Sequence, residues 1–164
     1  MDVSKEIIPG EFRVAIEVGV ADGLATGVLG NYPIVDVEVR VVGGDAHPVD
    51  STEMAFRSVA VMALKDAVRA ADAVLLEPVM EVEVTTPEES MGEVLSDING
   101  RRGRIEEMKA LDTASIVRAE VPLAELFGYA TSLRSLTKGR ASYTMEPKMF
   151  AALPILIQET ILNR

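Results

Sequence analysis

The chain has 164 residues, room for one domain or two small ones. Apolar residues at 48% and charged residues at 26% are the balance of a folded globular protein and exclude a disordered one. A net charge of −10 argues against general binding to nucleic acid or anionic membranes, and the lack of cysteine excludes disulfide scaffolds, cysteine zinc sites, iron–sulfur clusters and thiol catalysis.

Aromatic residues are scarce and tryptophan is absent, so any core is built from Val, Ala, Leu, Ile and Met. The longest apolar stretch, residues 150–157, is interrupted by Pro154 and falls far short of the roughly 18–20 residues a membrane span needs. The opening residues lack the basic start and apolar run of a secretory signal. A soluble, cytoplasmic protein without membrane contact is the expectation.

Residues 7–24 place Phe12, Ala15, Ile16, Gly19 and Val20 at helical spacing, with Pro9 where a first-turn proline is tolerated. Gly27, Gly30, Asn31 and Pro33 then make a turn. Val35, Val37, Val39 and Val41 alternate with Asp36, Glu38 and Arg40, predicting a strand with one wet face. Residues 43–48 read as a loop. Asp50 and Glu53 predict a capping pair for a helix that ends near residue 71 and buries Ala55, Val59, Met62, Ala63 and Ala67.

The pattern restarts at residue 77. Met80, Val82 and Val84 alternate with Glu81, Glu83 and Thr85, predicting a strand. Thr86, Pro87, Glu88 and Glu89 open a helix whose stripe is Met91, Val94, Leu95 and Ile98, closed by Gly100. Residues 105–111 and 115–121 read as two strands. Pro122 opens a further helix with Leu123, Leu126, Phe127, Ala130 and Leu133 inward, and Gly139 closes it. Ala141, Tyr143 and Met145 begin a last strand, and a short helix covers residues 154–162. Strand, helix, strand, strand, helix, strand is the ferredoxin-like βαββαβ order, an antiparallel sheet with both helices on one face. The expectation is an α+β protein in two parts: residues 1–76, a partial β/α unit, and residues 77–164, a ferredoxin-like sandwich with a C-terminal helix. A lone strand in the first part leaves its edges open, which gives that part a route to self-association.

Few residues point to chemistry. No phosphate-loop or dinucleotide glycine fingerprint is present. His47 is the sole histidine and sits in a polar, glycine-rich loop with Gly44 and Asp45, where an exposed bystander and a contact residue are equally consistent. Six of the sixteen bases fall in two short segments, Arg101, Arg102 and Arg104, then Arg134, Lys138 and Arg140. Solubilising surface charge accounts for such clusters as readily as a binding role. Tyr129 suits stacking on a base or packing beside Phe127. Carboxylates abound, and none is singled out as an acid–base pair.

Several segments nonetheless resemble a known family. Gly30-Asn31-Tyr32-Pro33-Ile34-Val35-Asp36-Val37 and His47-Pro48-Val49-Asp50-Ser51-Thr52-Glu53-Met54-Ala55-Phe56 are similar to domain IV of translation elongation factor G. Leu75-Leu76-Glu77-Pro78-Val79-Met80, Asn99-Gly100-Arg101-Arg102-Gly103 and the run from Val121-Pro122-Leu123 to Arg134-Ser135 resemble its domain V. The resemblance runs in order along nearly the whole chain, while residues 20–24 and 145–164 follow the family loosely. It implies a C-terminal ribosome-binding fragment of a translational GTPase that acts in translocation. It also implies that the family's first domain IV strands, its other tip loop and its GTPase domain lie outside this chain. No enzyme activity and no cofactor are then expected here, GTP and Mg belonging to the parent family. Partners would be rRNA and the protein at the stalk base. His47, with Gly44 and Asp45, would mark the tip that enters the decoding region, and Arg101, Arg102, Arg104, Arg134, Lys138 and Arg140 would be candidates for contact with the large subunit. Such contacts require side chains not already tied into internal ion pairs. A stand-alone truncated paralogue, serving as a ribosome- or protein-binding regulatory module, is the alternative.

Overall fold

The computed structural model describes residues 8–111 and 113–163. The chain divides into two compact units, one holding the chain up to Leu75 and from Pro154 onward, the other Leu76–Leu153.

In the first unit a single 310 turn, Gly10–Phe12, leads into α1, Arg13–Thr26. It packs on α2, Glu53–Ala70, through glycines. A Cβ on Gly19 would strike the backbone oxygen of Arg57, and one on Gly23 would come within 2.7 Å of Leu64 Cδ2. The small faces of α1 therefore let the two backbones approach, and Phe56, Ala60 and Leu64 of α2 fill the contact. Phe12 and Phe56 stack with centroids 4.5 Å apart, beside buried Ile8 and Ile16. An ion pair between Arg57 and Asp22 at 2.5 Å ties the helices at the rim.

Three sequence expectations change here. The buried stripe of α2 is Phe56, Ala60 and Leu64, whereas Ala55, Val59, Met62, Ala63 and Ala67 are exposed. Apolar residues surround this helix on both sides, so periodicity does not choose a face. The bulk of Phe56 and Leu64 against the glycines of α1 does. The helix cap is Thr52, whose hydroxyl accepts from Ala55 N at 3.1 Å, and Asp50 lies outside the helix. Residues 35–41 form no strand: Asp36 takes φ +56° and the segment joins no sheet among the described residues. Alternating valines supply one face of a strand, but a ladder needs a neighbouring backbone.

The second unit is the expected antiparallel sheet. Its strands are β1 (Leu76–Thr86), β2 (Arg104–Ala110), β3 (Ser115–Pro122) and β4 (Ser142–Ala152), in the order β2-β3-β1-β4. Met80, Val82 and Val84 lie opposite Val121, Ala119 and Val117, and all six turn to the same face. Helix α3 (Met91–Gly100) brings Val94 and Ile98 to that face, and α4 (Tyr129–Leu136) brings Tyr129 and Leu133. The side chains of Val82, Val84, Val94, Val117 and Ala119 are wholly shielded from water. This is an α+β fold.

The helix expected from Pro122 is broken. Leu123–Leu126 form a 310 turn, Phe127 is extended, and Gly128 takes φ +76°, a left-handed conformation suited to glycine. The turn shifts the phase of the following helix, so Leu126, Tyr129 and Leu133 face inward while Ala130 and Phe127 face water, Phe127 with 81% of its surface exposed. The closing helix α5, Ile155–Leu162, groups with the first unit, where Gln158 Oε1 accepts from Leu75 N at 2.8 Å. The reading from sequence attached this helix to the second part.

Candidate functional site

Residues 43–49 form a largely exposed loop ahead of α2. Gly44 lies against Ile8, where a Cβ would come within 2.9 Å of Ile8 Cδ1, so the loop needs a small residue to pass. Asp45 and His47 are both exposed. A local turn fixes His47: its N–H donates to Ser51 Oγ at 2.8 Å, and its carbonyl accepts from Ser51 N at 3.2 Å. Imidazole Nδ1 lies 3.1 Å from Asp50 Oδ2 and 3.4 Å from Val49 N. One nitrogen cannot donate to the carboxylate and accept from the amide at once. The Val49 amide donates to Nδ1 when that nitrogen carries no proton, and Asp50 accepts when it does, so either contact tethers the exposed imidazole to its own loop. Asp50, expected as a cap, instead lies beside the imidazole.

The basic residues divide sharply. Arg101 is largely buried: Nε donates to Asp97 at 2.8 Å, Nη1 to the Glu125 carbonyl at 2.5 Å, and Nη2 to Ser132 Oγ at 2.8 Å. Its guanidinium also sits 5.0 Å from the centre of the Tyr129 ring. Arg102 holds Glu77 with both arms of its fork, at 2.7 and 2.9 Å, and Glu125 through Nε at 2.9 Å. The Glu77 bonds, then those to Glu125, push its pKa up against the effect of burial. Arg104 grips Glu120 at 2.7 and 3.1 Å, and Arg140 pairs with Glu89. Arg101 and Arg102 spend their donors inside the chain, whereas Arg104 and Arg140 pair with carboxylates while their side chains stay 72% and 49% exposed. Arg134 and Lys138 are exposed and make no ion pair among the described residues. They flank the C-terminal end of α4, where the helix dipole favours cations, and Lys138 takes φ +53°.

The outer face of the sheet carries a lattice that sequence inspection missed. Lys148 Nζ lies 3.0, 2.7 and 2.9 Å from Glu81, Glu106 and Glu120, and Arg118 bonds to Glu83 at 2.6 Å. Hydrogen bonds to Glu106, Glu120 and Glu81 raise the Lys148 pKa. Lys148, and after it Arg104, hold the Glu120 carboxyl below its ordinary range. The alternation of Glu81 and Glu83 against Arg118 and Glu120 was the available signal, since antiparallel register sets such residues side by side. Tyr129, the aromatic weighed for stacking on a base, is buried edge-on to Tyr143 at 5.0 Å. Burial, then the Asp97 charge, pushes its hydroxyl up to about 12. It therefore cannot stack on a base. Among the described residues a depression of about 550 Å³ lies beside Glu93, Asp97 and Arg101, and one of about 230 Å³ lies between α1 and Val39 and Val41, and both are open.

Two family models match the chain almost end to end. Residues 1–72 match elongation factor G, domain IV, and residues 74–161 match the elongation factor G C-terminus. The chain belongs to the elongation factor G family. It is 52% identical over 158 residues to elongation factor G of Chlamydia caviae, a match that covers 96% of this chain and 23% of that protein. A crystal structure of a Thermus thermophilus protein superposes with a TM-score of 0.83 at 38% identity, covering 98% of this chain and 24% of that one. The chain thus spans about a quarter of the length of these relatives. The His47 loop lies in the match to elongation factor G domain IV, and every basic candidate lies in the match to the C-terminus.

Proposed function

We infer that this chain works as the ribosome-docking, C-terminal part of an elongation factor G-type factor, in translocation during cytoplasmic protein synthesis, and performs no nucleotide chemistry itself. The observation that carries this reading is the ordered match of both consecutive domains at 52% identity to a full-length factor. The exposed His47 loop, with 65% of the His47 side chain open to water and Nδ1 beside Asp50, supports a positioning contact to RNA backbone or base edges. On the second unit, Arg134 and Lys138 are exposed and make no ion pair among the described residues, and they are the leading proposed contacts to large-subunit rRNA and the stalk base. Arg101 and Arg102 serve the fold that presents them, and Arg104 and Arg140 can reach a partner only in competition with Glu120 and Glu89.

Sedimentation with 70S ribosomes over a salt series tests the reading. The chain should pellet with ribosomes at low salt and be displaced by a full-length elongation factor G. With two free bases, log K should fall against log salt with a slope of roughly −1 to −2. Recovery in the supernatant at all salt concentrations would overturn it, and a GTP titration showing specific binding would overturn the non-catalytic part.

A further inference from the structure

We propose that Phe127 stacks on an unpaired base of large-subunit rRNA while Arg134 and Lys138, at the far end of α4, hold phosphates of the same RNA. This rests on the docking reading above and narrows it to one base-stacking contact beside two charge contacts. Phe127 keeps 81% of its surface open to water, although Leu126 and Tyr129 in the same turn are buried. Its backbone is pinned. Arg101 donates to the Glu125 carbonyl, Arg102 holds the Glu125 carboxylate, and the Gly128 carbonyl accepts from Thr131 N and Ser132 N at 3.1 and 3.2 Å. The side chain is a flat apolar ring on a held turn, with little freedom left to lose on binding.

Charge decides what kind of partner the ring meets. The chain carries 26 acids among 164 residues, yet residues 126–145 contain none, the longest acid-free run in the sequence. At the chain's average that run would hold about three acids, and instead it holds Arg134, Lys138 and Arg140. The exposed residues of α4 are Ala130, Thr131, Arg134 and Ser135, with Lys138 just past its end, so the ridge beyond Phe127 is small, polar or basic. Carboxylates of neighbouring elements are engaged: Asp97 with Arg101, Glu89 with Arg140, and Glu125 with Arg102. Glu93 lies beside Leu136, on the depression that α3 and α4 share. An exposed ring next to acid-free cations matches the two means by which looped RNA is held, stacking of a splayed base and contact with phosphate. The eight residues of α4 separate them by roughly 12 Å, within reach of one RNA loop. A protein pocket would take the ring equally well, but it gives no reason for the acid-free stretch around it.

Pelleting of the full chain over a series of 70S ribosome concentrations gives dissociation constants for Phe127→Ala, Phe127→Leu and Phe127→Trp beside the wild type. Leucine keeps apolar bulk without a π face, whereas tryptophan enlarges the face, so the pair separates stacking from burial in a protein pocket. The alanine and leucine variants should both bind about tenfold more weakly, and the tryptophan variant should bind as well as wild type or better. The slope of log K against log salt should be unchanged in all three, and shallower by about one in Arg134→Ala or Lys138→Ala. Circular dichroism checks that each variant is folded. A leucine variant that binds like wild type, a tryptophan variant weaker than the leucine one, or an alanine variant that loses nothing would overturn the stacking contact while wild-type pelleting leaves docking intact. A wild-type chain that never pellets would remove the docking reading and the stacking contact with it.

Discussion

Replacing Arg102 by alanine isolates what the internal arginines do. The substitution strips Glu77 of both arms of a fork at 2.7 and 2.9 Å, and Glu125 of a bond at 2.9 Å. Glu77 stays almost fully buried, with 11% of its side chain exposed, so its carboxylate is left without a donor. Deleting one partner of a buried pair costs about 3–5 kcal/mol, and the 28% of the Arg102 side chain still open to water lowers this to about 2–3 kcal/mol. Glu125 is more exposed and adds less than about 1 kcal/mol. Arg102 also sits at φ +59°, a conformation alanine tolerates no better than arginine, so Arg102→Gly should be about 1 kcal/mol more stable than Arg102→Ala. Urea unfolding followed by far-UV circular dichroism and tyrosine fluorescence reads these values. A double-mutant cycle with Glu77→Gln should give a coupling of about 2 kcal/mol. Coupling below about 0.5 kcal/mol would refute the structural assignment and return Arg102 to the pool of contact residues.

The remaining predictions concern caps, burial and pH. Thr52→Ala should cost about 1 kcal/mol through the lost cap, while Asp50→Ala and His47→Ala should each change stability by less than about 0.5 kcal/mol, as thermal melts will show. The Tyr129 hydroxyl is buried with no hydrogen-bond partner, so Tyr129→Phe should gain about 1 kcal/mol. Its ionisation is pushed from 10 in the unfolded chain to about 12 in the fold, so the wild-type chain gives up stability progressively as pH rises from 10 to 12. That loss is worth about 2–3 kcal/mol and should be missing from the phenylalanine variant in urea titrations at each pH. Glu120 is held below its ordinary pKa by Lys148 and Arg104, so its contribution is present at neutral pH and lost as pH falls below about 4.5. Glu120→Gln should therefore flatten the acid side of the stability profile.

The sheet was legible because its strands carry their own phase. Val82 and Val84 against Val117 and Val121 alternate cleanly, and Gly100, Pro122 and Gly139 punctuate the helices between them. What the residues did not disclose lies where two readings share one pattern. The α2 helix is apolar on both sides, and only the glycines of α1, thirty or more positions away, decide that Phe56 and Leu64 are inside. Residues 35–41 have the alternation of a strand, yet hydrogen bonding needs a second backbone that no local pattern supplies. Gly128 was visible as a glycine but not as a left-handed turn, and that turn exchanged Phe127 for Tyr129 in the core. Clusters of arginine are ambiguous for the same reason. Arg101 and Arg102 find their carboxylates at positions 77, 97 and 125, and the first and last of these become neighbours only after β1, α3 and the 310 turn have packed. The tip loop was located by resemblance, and the contact between His47 and Asp50 emerged from the geometry.

The absence of cysteine makes a direct test of docking straightforward, because Asp45→Cys or Lys138→Cys creates a unique attachment point for an iron chelate. Hydroxyl radicals generated from the chelate on the ribosome-bound chain cut the rRNA that lies nearby. The account predicts cuts in the small-subunit decoding region from position 45 and in large-subunit rRNA near the stalk base from position 138, both suppressed by full-length elongation factor G. Cuts scattered without pattern, or none above those of the unlabelled chain, would contradict it.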